Sequence, residues 1–318
     1  MATLKDIAQR AGVTATTVSR VINNRGYISE GTRKKVYAAM EEMHYQPNEL
    51  ARAFSKQYTN TIGLIVPHIS HPFFIKVISN LESSAAEKGF KLLLCNSKEQ
   101  PEKEQDYLDM CISNRVAGIV LCSKYVQTRE FRKMNIPVVN LERGGDDDTI
   151  SVQCDNYQGG KLAAEHLIEC GCKNLLHFGG VAGKDMPADR RADGFSDVCK
   201  KAGIPYRILV SDRLQYGSMH YEDFIRRALQ EFPDVDGIFA SSDLIASQVI
   251  QVGAQMGKRV PEDIQLIGFD DVMISTVTTP QITTIHQPVE EMTELCVEYI
   301  AKSLKNESVP QKLSIIHI

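Results

Sequence analysis

Residues 13–23 read VTATTVSRVIN. Three threonines and a serine crowd a segment whose apolar residues Val18, Val21 and Ile22 fall at i, i+3 and i+4. That spacing predicts a helix with one buried face, although threonine is a poor helix former. Upstream, Leu4, Ile7, Ala8 and Ala11 share one face of a first helix, which Gly12 ends with a tight turn. Thr14 is placed to cap the second helix, and residues 23–26 (NNRG) break it. Ser29 is placed to cap a third, whose inner face is Val36, Met40 and Met43. Two short helices joined through Gly12 and Val13, with a third behind them, predict an all-α helix-turn-helix head.

The texture changes near Thr61. The apolar runs IGLIV (62–66), KLLLC (91–95), AGIVL (117–121) and PVVNL (137–141) alternate with amphipathic helical stretches. The runs NLLHFGG (174–180), DGIFA (236–240) and IQLIGFD (264–270) continue the pattern. Buried parallel strands read this way because helices cover both faces of their sheet. The series predicts an α/β body of two doubly wound parallel-sheet lobes. Ligands of such sheets bind beyond the carboxyl ends of the strands, so the loops carrying His71, Glu142, Asp243 and Asp270 outline a candidate cleft. Between head and body, residues 45–60 (YQPNELARAFSKQYTN) place Leu50, Ala51 and Phe54 on one apolar edge. A helix this short is unstable alone and is expected to form only against a partner.

Bulk properties narrow the class. Of 318 residues, 43% are hydrophobic and 24% charged, as in ordinary globular proteins. No apolar run approaches the length of a membrane span and the N-terminus lacks a signal-peptide pattern, so a cytoplasmic protein is expected. Cys95 and Cys122 sit in apolar runs as small core residues, and the CGC at 170–172 has no partners at zinc spacing. No metal or cofactor is therefore expected. Residues 1–58 hold nine Lys/Arg against five Asp/Glu, while the remainder holds 27 against 35. A basic head on an acidic body suits a polyanionic partner. A transport receptor would share the body but needs a signal peptide and no basic head. Glu142 and Asp270 could serve an enzyme as an acid–base pair, but no nucleophile elbow or P-loop accompanies them, and a non-enzymatic protein is expected.

The stretches LKDIAQRAGVTATTVSRVIN (4–23), GYISEGTRKKV (26–36), YQPNELARAF (45–54) and TIGLIVP (61–67) carry a specific resemblance. RRADGF (190–195), SSD (241–243), IGFDDV (267–272) and TTIHQP (283–288) extend it. Together they resemble the lactose-repressor/galactose-repressor family of bacterial transcription regulators over essentially the whole chain. NRGYISE (24–30), PHISHPFF (67–74) and LCNSKEQPEKEQDYL (94–108) are most similar to sugar-operon repressors, the sucrose repressors in particular. The resemblance implies a DNA-binding head at 1–46, a hinge helix or linker at 47–60 and an effector-binding and dimerisation domain at 61–318. That domain would be periplasmic-binding-protein-like, type I. Its first lobe would cover about 61–158 and 289–312, and its second about 159–288 with the C-terminal strand. The implied function is repression of a carbohydrate-utilisation operon by a homodimer on a pseudo-palindromic operator. A sugar or sugar phosphate between the lobes would control DNA affinity. The alternative is a carbon-catabolite regulator co-activated by a phosphorylated carrier protein, for which Glu290 and Glu291 look poorly suited.

The resemblance also assigns residues. The second helix would enter the major groove N-terminus first, with Ala15 and Thr16 choosing bases and Arg20 bridging guanine or phosphate. Thr17, Ser19, Asn23, Tyr27 and Arg33 would hold the DNA backbone, and Leu4 and Thr14 complete that contact set. In the hinge, Asn48 and Ala51 would face the minor groove. Phe54 stands where the family carries a wedging leucine, and it either intercalates or packs on the body. For the effector, Arg191 would hold vicinal hydroxyls with its forked donors, opposite Asp270. His71, Pro72, Phe73 and Phe74 would line the first lobe, with Glu142, Arg143 and Gln287. Ser242 replaces an asparagine of some relatives, and Asp243 is expected to cap the following helix. An aromatic that stacks on the ligand in some relatives aligns to Gln215, so in this tryptophan-free chain that stacking is either lost or moved to Tyr216.

Overall fold

The computed structural model describes residues 2–23, 25–45, 57–123, 136–143, 150–181, 186–310 and 312–315. The chain divides into two units, Met1–Thr59 and Asn60–Ile318. The expected hinge residues Asn48, Ala51 and Phe54 lie outside the described residues.

The first unit holds α1 (Leu4–Ala11), α2 (Ala15–Ile22) and α3 (Glu30–Glu42). Each begins on a hydroxyl that occupies an otherwise orphaned backbone donor. Thr3 and Asp6 form a reciprocal capping box on α1, and Gly12 ends it at φ 65°. Thr14 Oγ1 accepts the Thr17 N–H at 3.2 Å, and Ser29 Oγ accepts that of Thr32 at 3.3 Å. Ile7, Ala8, Val18, Val21, Val36 and Ala39 close a core drawn from all three helices. Thr14 thus caps α2, and Thr16 on its first turn is exposed.

The second unit opens with β1 (Thr61–Val66), α4 (Pro72–Glu87), β2 (Lys91–Asn96), α5 (Pro101–Ser113), β3 (Gly118–Leu121), β4 (Val138–Leu141) and β5 (Ile150–Cys154). The chain then passes to α6 (Asn156–Glu169), β6 (Leu175–Val181), α7 (Arg190–Ala202), β7 (Tyr206–Ser211), α8 (Arg213–Ser218) and α9 (Glu222–Glu231). The second lobe continues through β8 (Gly237–Ala240), α10 (Asp243–Gln255), β9 (Gln265–Asp270), α11 (Met273–Val277) and β10 (Thr283–His286). Finally α12 (Val289–Ser303) and β11 (Lys312–Ile315) return to the first lobe.

Two all-parallel sheets result, ordered β11-β5-β4-β3-β1-β2 and β10-β9-β8-β6-β7. Each winds outward in both directions from its first strand. The strand order therefore reverses between β1 and β3 in one sheet and between β6 and β8 in the other. Such switch points leave a crevice at the carboxyl ends of the strands. Leu64, Val120 and Val139 are fully buried on one side of the first sheet, and Ile65, Ile119 and Leu121 on the other. Leu176, Phe178, Ile238 and Ala240 do the same work in the second.

Three features depart from the sequence reading. The strands β5, β7 and β10 were not among the apolar runs. The C-terminal strand, expected with the second lobe, pairs parallel with β5 in the first sheet, Leu313 opposite Val152, and so covers what would be an open edge. The first crossing between lobes falls at Asp155, because α6 already packs on α7 and the second sheet. The second crossing lies between His286 and Val289. Among the described residues no helix is long and apolar enough to cross a membrane.

Candidate functional site

Both switch points open onto one cavity of about 130 Å³ between the lobes. The first lobe contributes Pro67 and His71 after β1, Ser123 after β3 and Glu142 after β4. The second contributes Gly180 near the end of β6, Ser241 and Ser242 after β8 and Asp270 at the end of β9. Phe73, Phe74, Arg191, Tyr216 and Gln287 also line it. The rings of His68 and Tyr216 meet edge to face with their centroids 5.7 Å apart, joining the two lobes.

Arg191 sits at the centre and its position has a local cause. Helices α6 and α7 approach so closely that a Cβ on Gly160 would fall 2.0 Å from the Arg191 carbonyl oxygen. One on Gly194 would fall equally near that of Tyr157. The glycine of RRADGF is thus a packing requirement that sets the depth of its arginine. Arg191 Nε donates to Asn156 Oδ1 at 2.7 Å and Nη1 to the Ser241 carbonyl at 2.5 Å. The guanidinium carbon lies 3.5 Å from the centroid of the Phe269 ring. Nη1 also stands 3.9 Å from Asp270 Oδ1.

Asp270 is buried and at φ 104° occupies backbone space that side-chain-bearing residues rarely adopt. Gln287 Nε2 donates to its Oδ1 at 2.6 Å, while Gln287 Oε1 is buried without a partner. Burial pushes the Asp270 carboxyl up to about 8 against the opposing pull of Arg191. Glu142, at φ 50°, turns back so that Oε1 accepts the Cys154 N–H and Oε2 accepts from Asn156 Nδ2 at 3.1 Å. Burial raises its carboxyl as well, with Arg191 opposing. His71 caps α4 through Nδ1, which accepts the Phe73 N–H at 3.3 Å. Burial, with help from His68 and Arg191, lowers it to about 4.

Not every residue proposed from the sequence meets here. Pro72 is the first residue of α4 and does not line the cavity. Arg143 is buried behind the wall, donating to Asn140 Oδ1 at 3.0 Å and to the Ser123 carbonyl. Gln215 is spent in a capping box with Asp212 at the start of α8, and Tyr216 is the aromatic that reaches the cavity. The cap of α10 is Ser242, whose Oγ accepts the Ile245 N–H at 3.2 Å. Asp243, expected to cap that helix and touch ligand, is instead fully buried beneath β9. Its carboxylate accepts the Val272 N–H at 2.9 Å and the Thr284 hydroxyl at 2.6 Å. Asn156, Ser123 and Tyr221 were missed. Asn156 opens α6 directly after a strand and joins Glu142 to Arg191, a role that no motif announces.

On the head, Thr16 and Arg20 are exposed four residues apart on α2, and Tyr27 is 97% exposed in the loop behind it. Leu4 and Thr14 are exposed, while Thr17, Ser19 and Arg33 are half-buried. Ala15 is half-buried and packs partly against the head core. Asn23 turns inward, its Nδ2 donating to the Ser19 carbonyl at 2.8 Å.

A helix-turn-helix head on a chain with a two-lobed cleft defines a ligand-responsive DNA-binding regulator. Residues 3–48 match the model for bacterial regulatory proteins of the lacI family, and residues 164–317 match a periplasmic binding protein-like domain. A ribose operon repressor from Halalkalibacterium halodurans is 33% identical over 99% of this chain and 96% of its own length. A sucrose operon repressor from Pediococcus pentosaceus is 34% identical over 95% of this chain and 92% of its own. A solved regulator from Alkaliphilus metalliredigens, complexed with D-xylulofuranose, is 32% identical and covers 81% of this chain and 97% of its own, with a TM-score of 0.73. The chain belongs to the lacI family of bacterial regulatory proteins. It is a DNA-binding transcriptional regulator and not an enzyme.

Proposed function

We propose that this regulator represses a carbohydrate-utilisation operon as a homodimer in the cytoplasm, and that an uncharged sugar in the inter-lobe cavity sets its grip on the operator. The observation that carries the ligand reading is the balance of charge around that cavity. Among the described residues, the carboxyl side chains of Glu99, Glu142, Asp189 and Asp270 line it against the guanidinium of Arg191. Helix N-termini attract phosphate, and α4 and α10 both begin at the wall. One donor of each is already taken, the Phe73 N–H by His71 and the Ile245 N–H by Ser242. A phosphate dianion would find one guanidinium, that of Arg191, among the described lining residues, and carboxyls on the other sides. A neutral polyol would find acceptors in the carboxyls and in Gln287 Oε1, donors in Arg191, and ring faces in Phe73, Phe74 and Tyr216. Relatives named for ribose and sucrose operons, and a solved regulator holding D-xylulofuranose, favour the same chemistry.

The test is titration calorimetry with D-ribose, D-xylulose and sucrose beside D-ribose 5-phosphate and sucrose 6-phosphate. One of the free sugars should bind, its phosphate should bind at least about 100-fold more weakly, and Arg191→Ala should bind neither. Preference for a phosphate ester would overturn the reading. On DNA, Thr16 and Arg20 are proposed to read bases and Ala15 to permit close approach. Thr17, Ser19, Asn23, Tyr27 and Arg33, with Leu4 and Thr14, are proposed to fix register on the backbone. Arg20→Ala should weaken specific operator binding by about 1–3 kcal/mol, and unchanged affinity in a gel-shift assay would remove the residue from the interface.

A further inference from the structure

We propose that Lys76, which does not line the cavity, is a positioning residue for the effector. It acts through the three-residue turn Asp270–Asp271–Val272, and the proposal rests on the reading of the cavity as the effector site. Asp270 and Asp271 follow one another at φ 104° and 51°. Side-chain-bearing residues held there are strained and persist only where the surroundings dictate them. The surroundings do so atom by atom. Asp243 Oδ2 takes the Val272 N–H at 2.9 Å, and the missing Cβ of Gly268 makes room for that carboxylate, since one would lie 2.3 Å from Asp243 Oδ1. His286 Nδ1 holds the Asp271 carboxylate at 2.7 Å.

Those clamps belong to the second lobe. Lys76 comes from the first, and its Nζ donates to the Asp271 carbonyl oxygen at 2.8 Å. It lies on α4 one turn beyond Phe73, so a single helix carries both a cavity aromatic and the tie across the cleft. The tie therefore holds two things at once. It fixes the backbone that presents the Asp270 carboxylate, and it keeps the lobes at the separation at which both line the cavity. Loss of the tie lowers the fraction of molecules ready to grip ligand, and apparent affinity falls by that fraction.

The experiment uses the full chain with Lys76→Met, which keeps the apolar stem, and Lys76→Arg, which restores a donor. Without any sugar, hydrogen–deuterium exchange should quicken by about tenfold or more at the Val272 amide in Lys76→Met. Peptides from β1 and β8 should be unchanged, and Lys76→Arg should return most of the protection. With D-ribose and D-xylulose as probes, Lys76→Met should bind about tenfold more weakly at an unaltered melting temperature. Wild-type exchange at residues 268–275 in Lys76→Met would overturn the proposal, as would undiminished sugar affinity. If neither sugar binds the wild-type protein, the effector reading is at fault, and the exchange comparison alone decides whether Lys76 is the tie.

Discussion

Arg191 and Asp270 face each other inside the cleft, yet neither is simply half of an ion pair. The guanidinium gives two of its five donors to Asn156 and Ser241, and the carboxyl is raised from an ordinary 3.8 to about 8 by burial. Between roughly pH 4 and 8 the folded chain therefore retains a proton at Asp270 that the unfolded chain releases, so stability falls as pH rises through that window. Asp243, raised by burial to about 6, adds to the decline over its lower part. His71 works the other way. Its folded value of about 4 lies below the ordinary 6.5, so its contribution grows with pH between those values. Asp270→Asn should accordingly show a higher melting temperature than wild type at pH 8, with a much smaller gap at pH 5. A gap that ignores pH would mean that Asp270 is ionised in the folded state. Arg191 and Asp270 were legible because they stand in motifs. Asn156 was not, since its role depends on two partners 14 and 35 positions away. Asp243 was misread because the strand that covers it is 22 residues further along.

At the scale of elements, small side chains decide geometry. Gly194→Ala would drive a methyl into the Tyr157 carbonyl at the α6–α7 crossing. The helices must part, at a cost of about 1–3 kcal/mol, and Arg191 must retreat with them. Denaturant unfolding should show the loss, and sugar binding should disappear while the head still binds DNA non-specifically. In the head, Thr14→Ala removes the cap of α2 and should cost about 1 kcal/mol of head stability. Thr16→Ala, on the exposed side of the same turn, should leave stability intact; a matching loss there would mean that it too supports the helix. The helices of the head could be read from caps and spacing because both signals are local. Strands β7 and β10 could not. They are the two edges of their sheet, neither is buried along its length, and their sequences YRILVS and TTIH lack the unbroken apolar run of a central strand. The short β5 was hidden by its alternation of polar and apolar residues in ISVQC.

For the whole molecule, the same charge arithmetic that drew attention to the head separates its two binding events. Operator affinity should fall steeply as salt is raised, because each phosphate neutralised releases counterions. Sugar affinity should scarcely change, because an uncharged ligand in a buried cavity displaces none. Parallel titrations between 50 and 200 mM salt, roughly the range in which such losses are largest, would expose any misassignment. The two-lobed plan was readable from the apolar runs, whereas the home of the last strand was not, since KLSI would satisfy an edge of either sheet and its pairing with β5 is a long-range choice. That choice has a mechanical outcome. With β11 in the first lobe, the described chain passes between lobes only twice, at Asp155 and between His286 and Val289. Two anchored points define a line, and rigid halves joined at two points can swing only about it, like a door on a pair of pins. Spin labels set parallel to that line should keep their separation when sugar enters, and labels set across it should draw together.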